Sequence, residues 1–543
     1  MKGTRIIPAR QRGSAHYRRR ECGALCGAAF KGQALIMAMA ALIALCLGLL
    51  MLFNTGQAVT KKVQLANTAD AAAYSVAVQQ ARAFNMIAYL NRAEVANEIA
   101  VAQMVSLQSW MTHLQSGIDH FKDALNLIGY VLDIMVVTAE VGVMLNEVAA
   151  ALGEAEQVVK QVRKGTQKAF SLAITGISGL NQVYATSQQL VVASTLVDVP
   201  KVAGSIVSAN AADSLGGVGL GNEGMRISHV GLAALEAQVV RASQFVKRYT
   251  VQKSAGGGTW TRAGADRYVN VVMEARDSFS RGRTKSYIFG WITERNGTDM
   301  VDYNRWVGVD TLNFHMKIPF PLCWKHCTKD APLAWAATAA VSSNTRANAG
   351  IYRPGINGGS GWTSPYDLDS RKHFDPYNGA LSNRTAGSPV ANDPAVSEAG
   401  GSPSDALLKN YRGLQPYDDI VDAKHAERPY DSDGSIDAED VDVGPLFTVQ
   451  VEQPIENVRT SGHVQGIGRD RIQLADQADA GAMSASASSQ IYFSRPRAGW
   501  PFSRQIDDRR ELGNLFSPYW QARPVDTPES IKLGFKAGSV VMP

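Results

Sequence analysis

The sequence predicts a membrane-anchored α+β protein. It would have one N-terminal transmembrane helix, a long α-helical stalk or bundle, and then a mixed, loop-rich α+β C-terminal region. Three observations predict this organisation: an uncharged apolar run from Ala34 to Phe53, a stretch without proline that lasts until Pro200, and a later shift to glycine, proline and short alternating segments. A chain of 543 residues is also too long for one hydrophobic core, which favours about two or three units.

The apolar run at 34–53 is long enough to cross a bilayer. A helix rises about 1.5 Å per residue, so this run would reach about 30 Å, the thickness of the hydrocarbon core. The alternative is a cleavable signal peptide, whose apolar region usually has about 7 to 15 residues. Because this run is longer, begins more than thirty residues from the first residue and is followed by a charged, helix-forming segment, we expect a retained transmembrane helix at 32–54.

The basic residues before this run predict its orientation. The net charge of the chain is +5, and residues 1–31 contain only one acid, Glu21, against a set of lysines and arginines: Lys2, Arg5, Arg10, Arg12, Arg18, Arg19, Arg20 and Lys31. An excess of Lys and Arg beside a span marks the cytoplasmic side. We therefore expect a single-pass protein of the inner (cytoplasmic) membrane, with a cytoplasmic N-terminus at 1–31 and the bulk of the chain in the periplasm.

The basic arm could also contact anionic lipid or nucleic acid. Nucleic-acid-binding segments often alternate basic and aromatic residues, but this arm has no such interleaving beyond Tyr17. It also contains no motif that would recognise a base. Orientation and lipid contact are therefore the preferred interpretations, and no nucleic-acid partner is expected.

The region 55–200 is predicted to form a helical stalk. It lacks proline before its last residue and is rich in Ala, Leu, Val, Gln and Glu, which favours long helices. From Asp119 to Glu154 an acid or amide recurs every seven residues, which predicts a solvated edge, while the apolar residues between them predict burial against other helices or a partner. A second span at 125–151 would place several of these acids in lipid, so we expect one span.

The C-terminal half is predicted to be mixed. Region 201–341 would begin with a glycine-rich connection and contain helices and a strand; region 342–444 is loop-rich, with partial disorder as an alternative to ordered loops; region 445–543 contains strands. The elements expected there are a connection at 201–224, helices at 227–252 and 262–279, and strands at 305–318, 446–451 and 490–494. The tail 511–526 is aromatic enough that we expect it to dock on another surface, in this chain or in a partner.

One stretch resembles a known family. Gly32-Gln33 precedes the span, and the run Leu65-Ala66-Asn67-Thr68-Ala69-Asp70-Ala71-Ala72-Ala73 follows it. Together they resemble the N-terminal module of the TadE/TadG-like proteins of Flp (tight-adherence) pilus assembly, and the resemblance covers roughly residues 28–112. It implies a non-enzymatic accessory protein that assembles or anchors a Flp/Tad-type pilus or a related secretion apparatus, with the membrane and other pilus-assembly or secretion components as partners.

The resemblance also raises the question of proteolytic processing. Pilin-like precursors of this group are cut after a glycine, here Gly32, and the mature chain usually has glutamate at its fifth position. That position is Met37 in this sequence. The difference favours a permanently anchored accessory protein over an incorporated pilus subunit.

Small residues after the span are candidates for helix packing. They are Ala66, Ala69, Ala73 and Ala77, and small side chains let a second helix approach closely. Packing against partner helices and an ordinary amphipathic helix explain the pattern equally well. Self-association through the helical region is a further alternative.

Two other patterns in the sequence are candidate sites. Cys323 and Cys327 are a disulfide candidate if the region is periplasmic, with free thiols as the alternative, and they are too few for a structural zinc site. The acidic run around Gly434 weakly resembles a calcium-binding loop. Its candidate ligands are the carboxylates of Asp431, Asp433, Asp437 and Asp440. Because the first ligand position would be Pro429, an acidic turn is preferred.

The sequence contains no recognisable catalytic constellation. G-x-G-x-x-G at Gly219–Gly224 lacks the preceding strand of a dinucleotide site, and neither H-E-x-x-H nor G-x-S-x-G occurs. We therefore expect no enzyme activity, cofactor or metal. The alternative function is a membrane-tethered periplasmic ligand-binding or sensor protein, which the short cytoplasmic arm disfavours because it cannot hold a signalling domain.

Overall fold

The structure is a computed structural model. The residues that it describes are 33–134, 139–212, 224–249, 268–269, 271–273, 275–280, 283–288, 291–302, 305–317, 328–341, 407–420, 430–431, 443–454, 482–495, 510–511 and 513–541. The chain forms two compact units. The first comprises residues 1–61 and 458–479, and the second comprises residues 62–457 and 480–543.

The described chain contains long helices first and strands later, which confirms the expected mixture of helix and sheet. The helices are α1 (Gln33–Ile134), α2 (Ala139–Ala212), α3 (His229–Phe245) and α4 (Glu529–Val541). The strands are β1 (Arg226–Ile227), β2 (Lys247–Tyr249), β3 (Arg283–Tyr287), β4 (Ile292–Asp302), β5 (Arg305–Lys317), β6 (Thr328–Val341), β7 (Tyr417–Asp419), β8 (Tyr430–Asp431), β9 (Val443–Pro454), β10 (Ala482–Phe493), β11 (Arg510–Glu511) and β12 (Trp520–Val525).

In the second unit, α1 and α2 form an antiparallel pair. Asn97 donates to Asn181 at 2.6 Å. Farther along α1, Lys122 donates to Glu156 at 3.0 Å. The partner number on α2 falls as the number on α1 rises, so the two helices run in opposite directions. Polar side chains on the facing surfaces hold this register.

Helix α2 continues beyond the expected helix end. The sequence predicts a connection from residue 201, but α2 passes through Pro200 and ends at Ala212. Proline in a helix removes one backbone hydrogen bond. Val199, Ala203 and Val207 are buried in the core on this last part of α2, and this packing offsets the lost bond.

The described part of the second unit also contains two four-stranded antiparallel sheets. One has the strand order β1-β9-β10-β12, and the other has the order β3-β4-β5-β6. The predicted strands at 305–318, 446–451 and 490–494 correspond to β5, β9 and β10. Two further pairs are short: β2 with β7, and β8 with β11.

Two hydrophobic clusters join the sheets to the helices. The first cluster contains residues 65–87 of α1. They pack against the end of α2, against α3 and against the sheet that contains β9. The second combines the middle of α1 with Trp306 of β5 and with an aromatic group that includes Tyr268, Tyr411 and Tyr417. Both clusters therefore depend on α1, along which the rest of the second unit is arranged.

The aromatic tail docks as expected. Trp520 of β12 lies edge-on to Phe84 of α1, with ring centroids 5.3 Å apart. Asn85 donates to the Trp520 carbonyl at 2.9 Å and accepts from the Trp520 amide at 3.0 Å. One helix side chain thus satisfies both backbone groups of the first residue of β12.

The predicted loop-rich region is only partly described. Residues 342–406 lie outside the described residues, whereas 407–420 are described and contribute to the core through Leu408, Tyr411 and Leu414. This irregular segment is therefore buried and forms part of the packed structure.

Candidate functional site

The apolar stretch at 34–53 is helical and faces solvent. Leu35, Met37 and Leu52 are 65%, 74% and 71% exposed. Exposing so many large apolar side chains to water is unfavourable, at roughly 25 cal/mol for each Å². A lipid environment removes this penalty, so the surface is suited to a membrane.

The backbone of this stretch is satisfied within its own helix, as a lipid environment requires. Just beyond it, Thr55 donates to the Met51 carbonyl at 2.9 Å and Thr60 donates to the Gly56 carbonyl at 2.8 Å. These hydroxyls find partners inside the helix. The transition from apolar to polar sequence therefore does not interrupt α1.

Among the described residues, two helices are long and apolar enough to cross a membrane. None of the most apolar segment of α1 is buried, whereas part of the most apolar segment of α2 is buried inside the structure. The buried core helix of a soluble protein can have the same length and apolar composition as a membrane span. The exposed window of α1 is the better candidate, because nothing in the described chain covers it.

The alanines predicted to pack helices are in the second unit. Ala69, Ala73 and Ala77 are fully buried, and Ala66 is half-buried. The three buried alanines belong to the same cluster as Val199 of α2. They let elements of this chain approach α1 closely, while their use in binding a partner stays a prediction.

Two buried glutamates lie farther along α1. Glu94 and Glu98 are one helical turn apart and are almost completely inaccessible to solvent. Such residues are rarely buried without partners. Their spacing of four residues indicates that the two glutamates share a face of α1. Glutamates at this spacing also occur on ordinary solvent-exposed helix faces, so sequence reasoning did not identify them as a buried pair.

Glu98 joins three elements through hydrogen bonds. Its Oε2 accepts from Trp306 Nε1 at 3.0 Å and from the Tyr411 hydroxyl at 2.7 Å, and its Oε1 accepts from Asn181 Nδ2 at 3.1 Å. Burial raises the pKa of Glu98, and the hydrogen bonds from these donors oppose that rise. Glu98 therefore links α1 to α2, β5 and the irregular segment 407–420.

Glu94 is less well partnered. Its Oε1 accepts from Gln188 Nε2 at 3.1 Å. Its Oε2 is buried and has no hydrogen-bond partner among the described residues. Burial is the main cause that raises the pKa of Glu94 well above its ordinary value, and the neighbouring Glu98 carboxyl raises it further. The geometry therefore favours the neutral acid.

A charged pair and an amide network surround the glutamates. Arg248 of β2 donates to Asp418 of β7 at 2.8 Å. Burial raises the pKa of Asp418, and Arg248 opposes this effect. Asn91 donates to the carbonyls of Asp418 and Leu515 at 2.9 and 2.7 Å. These contacts hold the C-terminal segments against α1.

The exposed apolar helix and the alanine run that follows it fall within one recognised segment. Residues 32–80 match the putative Flp pilus-assembly TadE/G-like family. This match confirms the resemblance noted in the sequence. No curated protein and no solved structure shows significant similarity to the chain.

The TadE/G-like segment includes the apolar stretch and the whole alanine run but ends before Glu94 and Glu98. The alanines at 69, 73 and 77 are thus part of the matched segment and of the core. The match supports a role related to pilus assembly. It leaves the buried acidic network as a feature of the chain beyond the TadE/G-like segment.

The other predicted sites fall mostly outside the described residues. Cys323 and Cys327 lie there, as do Asp433, Asp437 and Asp440, while Asp431 lies in β8. Within the described part of the chain, no group of three or more His, Cys, Asp or Glu side chains could hold a metal ion. The calcium-like loop therefore stays a prediction, since most of its residues lie outside the described ones.

Proposed function

We propose that this protein is a non-enzymatic accessory protein of a Flp/Tad-type pilus or a related secretion apparatus. A single helix at 34–53 anchors it in the inner membrane, with the N-terminus in the cytoplasm and the bulk of the chain in the periplasm. Its role is to assemble or anchor the apparatus by binding other components.

One observation carries the proposal. The longest uncharged apolar stretch of the chain is helical, has no buried residue, and lies inside the segment that matches the TadE/G-like family. A stretch of this length and exposure is suited to lipid. The family match relates that anchor to pilus assembly.

The contacts of α2 support a single span. Asn181 and Gln188 are buried and hydrogen-bond to residues of α1, and Arg163 donates to Gln115 at 2.9 Å. Helix α2 also contacts α3 and β7. Because α2 packs against a strand and against α3, we assign it to the folded periplasmic part. In this proposal α2 therefore does not cross the membrane.

Reporter fusions test the topology. Alkaline phosphatase, which is active only in the periplasm, is fused after Lys62, after Lys168 and after Pro543. Activity at all three positions is expected. Activity after Lys62 but not after Lys168 would mean that the chain crosses back between them, which would contradict the single span and the periplasmic location of the bulk.

A genetic experiment tests the pilus role separately. Deleting the gene should abolish surface pili or the related secretion, and the full chain should restore them. A matched variant replaces 34–53 with an unrelated apolar span of the same length. Restoration by this variant would show that the span serves only as an anchor, while normal pili in the deletion strain would contradict the proposed role.

A further inference from the structure

Helix α2 carries a second apolar face that points away from α1. Starting at Val158, positions at alternating steps of four and three residues reach Val197, and this is the heptad spacing of helices that pack in coiled coils. We call these positions the α2 seam. Its large members are Val158, Val162, Leu172, Val183, Leu190 and Val197.

The α2 seam is exposed in the structure. Leu172, Val183 and Leu190 are 75%, 58% and 64% exposed. The opposite face of the same helix is buried, as shown by Asn181 and Gln188, which are 2% and 0% exposed. The helix therefore has one face that packs inside the chain and one regular apolar face that no described residue buries.

The small members of the seam leave room for a second backbone. A Cβ atom added at Gly165 or Gly176 would meet nothing within 4 Å. Small residues between larger ones let two helices come close, with the large side chains of one helix beside the small residues of the other. The seam is thus shaped for a helix.

The charge pattern of the α2 seam indicates which helix would pack against it. From Ala169 to Val197 the sequence has no Asp, Glu, Lys or Arg, and the nearby Lys160, Lys164 and Lys168 occupy heptad positions outside the seam. A neutral seam meets no like-charge repulsion when it pairs with itself, and it lacks the charges that would select a different partner.

We infer that the α2 seam is the interface of a homodimer, in which it packs against the same seam of a second copy of this chain. The seam from Val158 to Val197 would be about 60 Å long and about 10 Å wide, since a helix rises about 1.5 Å per residue. Both copies together would then bury about 1,200 Å², which is the lower limit for a stable, specific interface.

This inference goes beyond the proposed function, because a monomeric accessory protein would still have its anchor and its pilus role. The reporter fusions test the anchor without depending on the seam. The two proposals can therefore fail independently.

The first test measures the mass of the full-length chain in mild detergent, by light scattering corrected for bound detergent. We expect a dimer for the unaltered chain and a monomer for Val183→Glu or Leu190→Glu, since each places a charge in the seam. The matched control is Val240→Glu on α3, where the valine is 46% exposed; this variant should stay dimeric. A monomeric unaltered chain, or seam variants that remain dimeric, would overturn the inference.

The second test asks whether the α2 seams of two copies contact each other in intact membranes. In a chain whose own cysteines are replaced by serine, Gly176→Cys is oxidised in intact membranes, with Val240→Cys as the control. We expect a disulfide-linked dimer only for Gly176→Cys. If Gly176→Cys is protected from a membrane-impermeant maleimide but forms no dimer, lipid or another protein covers the seam, and the homodimer is wrong.

Discussion

At the scale of single residues, the feature that matters most is the acidic pair inside the second unit. Glu94 and Glu98 lie where α1, α2 and the C-terminal segments meet. Glu98 has three donors, whereas Glu94 Oε2 has no hydrogen-bond partner among the described residues. An ionised and incompletely partnered carboxylate is costly in such a place, so we expect Glu94 to couple the stability of the fold to pH.

The sign of this pH dependence follows from the raised pKa. The folded protein binds a proton at Glu94 that the unfolded chain releases near pH 4.5. Stability from this group is complete below that pH and is lost as pH rises towards the folded pKa. The groups facing Glu94 are Glu98, Arg248, Asp418 and Tyr268.

We predict that Glu94→Gln reduces the loss of stability as pH rises. One titrating group changes the free energy of unfolding by at most about 1.4 kcal/mol per pH unit, and the variant should lack this contribution. Urea unfolding of the full chain in detergent, at pH 5 and pH 7, measures it. Glu147→Gln, at an exposed position of α2, should behave like the unaltered chain, and an unchanged slope for Glu94→Gln would contradict the prediction.

The alanine run shows what residue patterns could and could not predict. Small residues at 66, 69, 73 and 77 allow another element to approach the helix closely, and those at 69, 73 and 77 are buried in the core. They could not indicate which element, because an alanine face suits a partner helix and a helix of the same chain equally. Val199 and its neighbours on α2 lie far away in sequence, and only the folded structure brings them to this face.

At the scale of elements, the long helices could be predicted and some strands could not. The sequence of β6 contains a proline and many alanines, which do not favour a strand. It forms one because β6 is the edge strand beside β5, where proline is tolerated, and an irregularity in the register lies near Pro332. A Cβ on Gly117 of α1 would lie 3.3 Å from Ala334, so a small residue there suits the approach of the helix.

We predict that Gly308→Ala destabilises the contact between α1 and β5. The added Cβ would lie 2.9 Å from Thr298 Oγ1 and 3.1 Å from Val105 Cγ1 of α1. Overpacking of this kind costs about 1 to 3 kcal/mol. Urea unfolding of the full chain would measure the loss.

The control for this prediction is Gly204→Ala on α2. A Cβ there meets nothing within 4 Å. Alanine in a helix interior is more favourable than glycine by about 0.5 to 1 kcal/mol, so this variant should be as stable as the unaltered chain or slightly more stable. Equal effects of the two substitutions would show that close packing at Gly308 is not the cause.

At the scale of the whole molecule, the sequence predicted the order of its parts better than their connections. Apolar composition identified the stretch at 34–53, and the absence of breakers identified the helices. The pairing of Asn85 with Trp520, or of Glu98 with Tyr411, joins residues hundreds of positions apart. No local pattern encodes such pairs, because they arise when the sheets close on α1.

We predict that the double substitution Leu45→Arg with Leu49→Arg releases the chain from the membrane. Each arginine near the centre of a span costs about 2.5 to 3.5 kcal/mol on insertion, or about 5 to 7 kcal/mol for the pair. Extraction of membranes with alkaline carbonate should move the variant to the soluble fraction. The control is Val59→Arg with Val63→Arg, at exposed positions of α1 after the span, which should stay in the membrane. Retention of the Leu45 and Leu49 variant would show that 34–53 is not what holds the protein there.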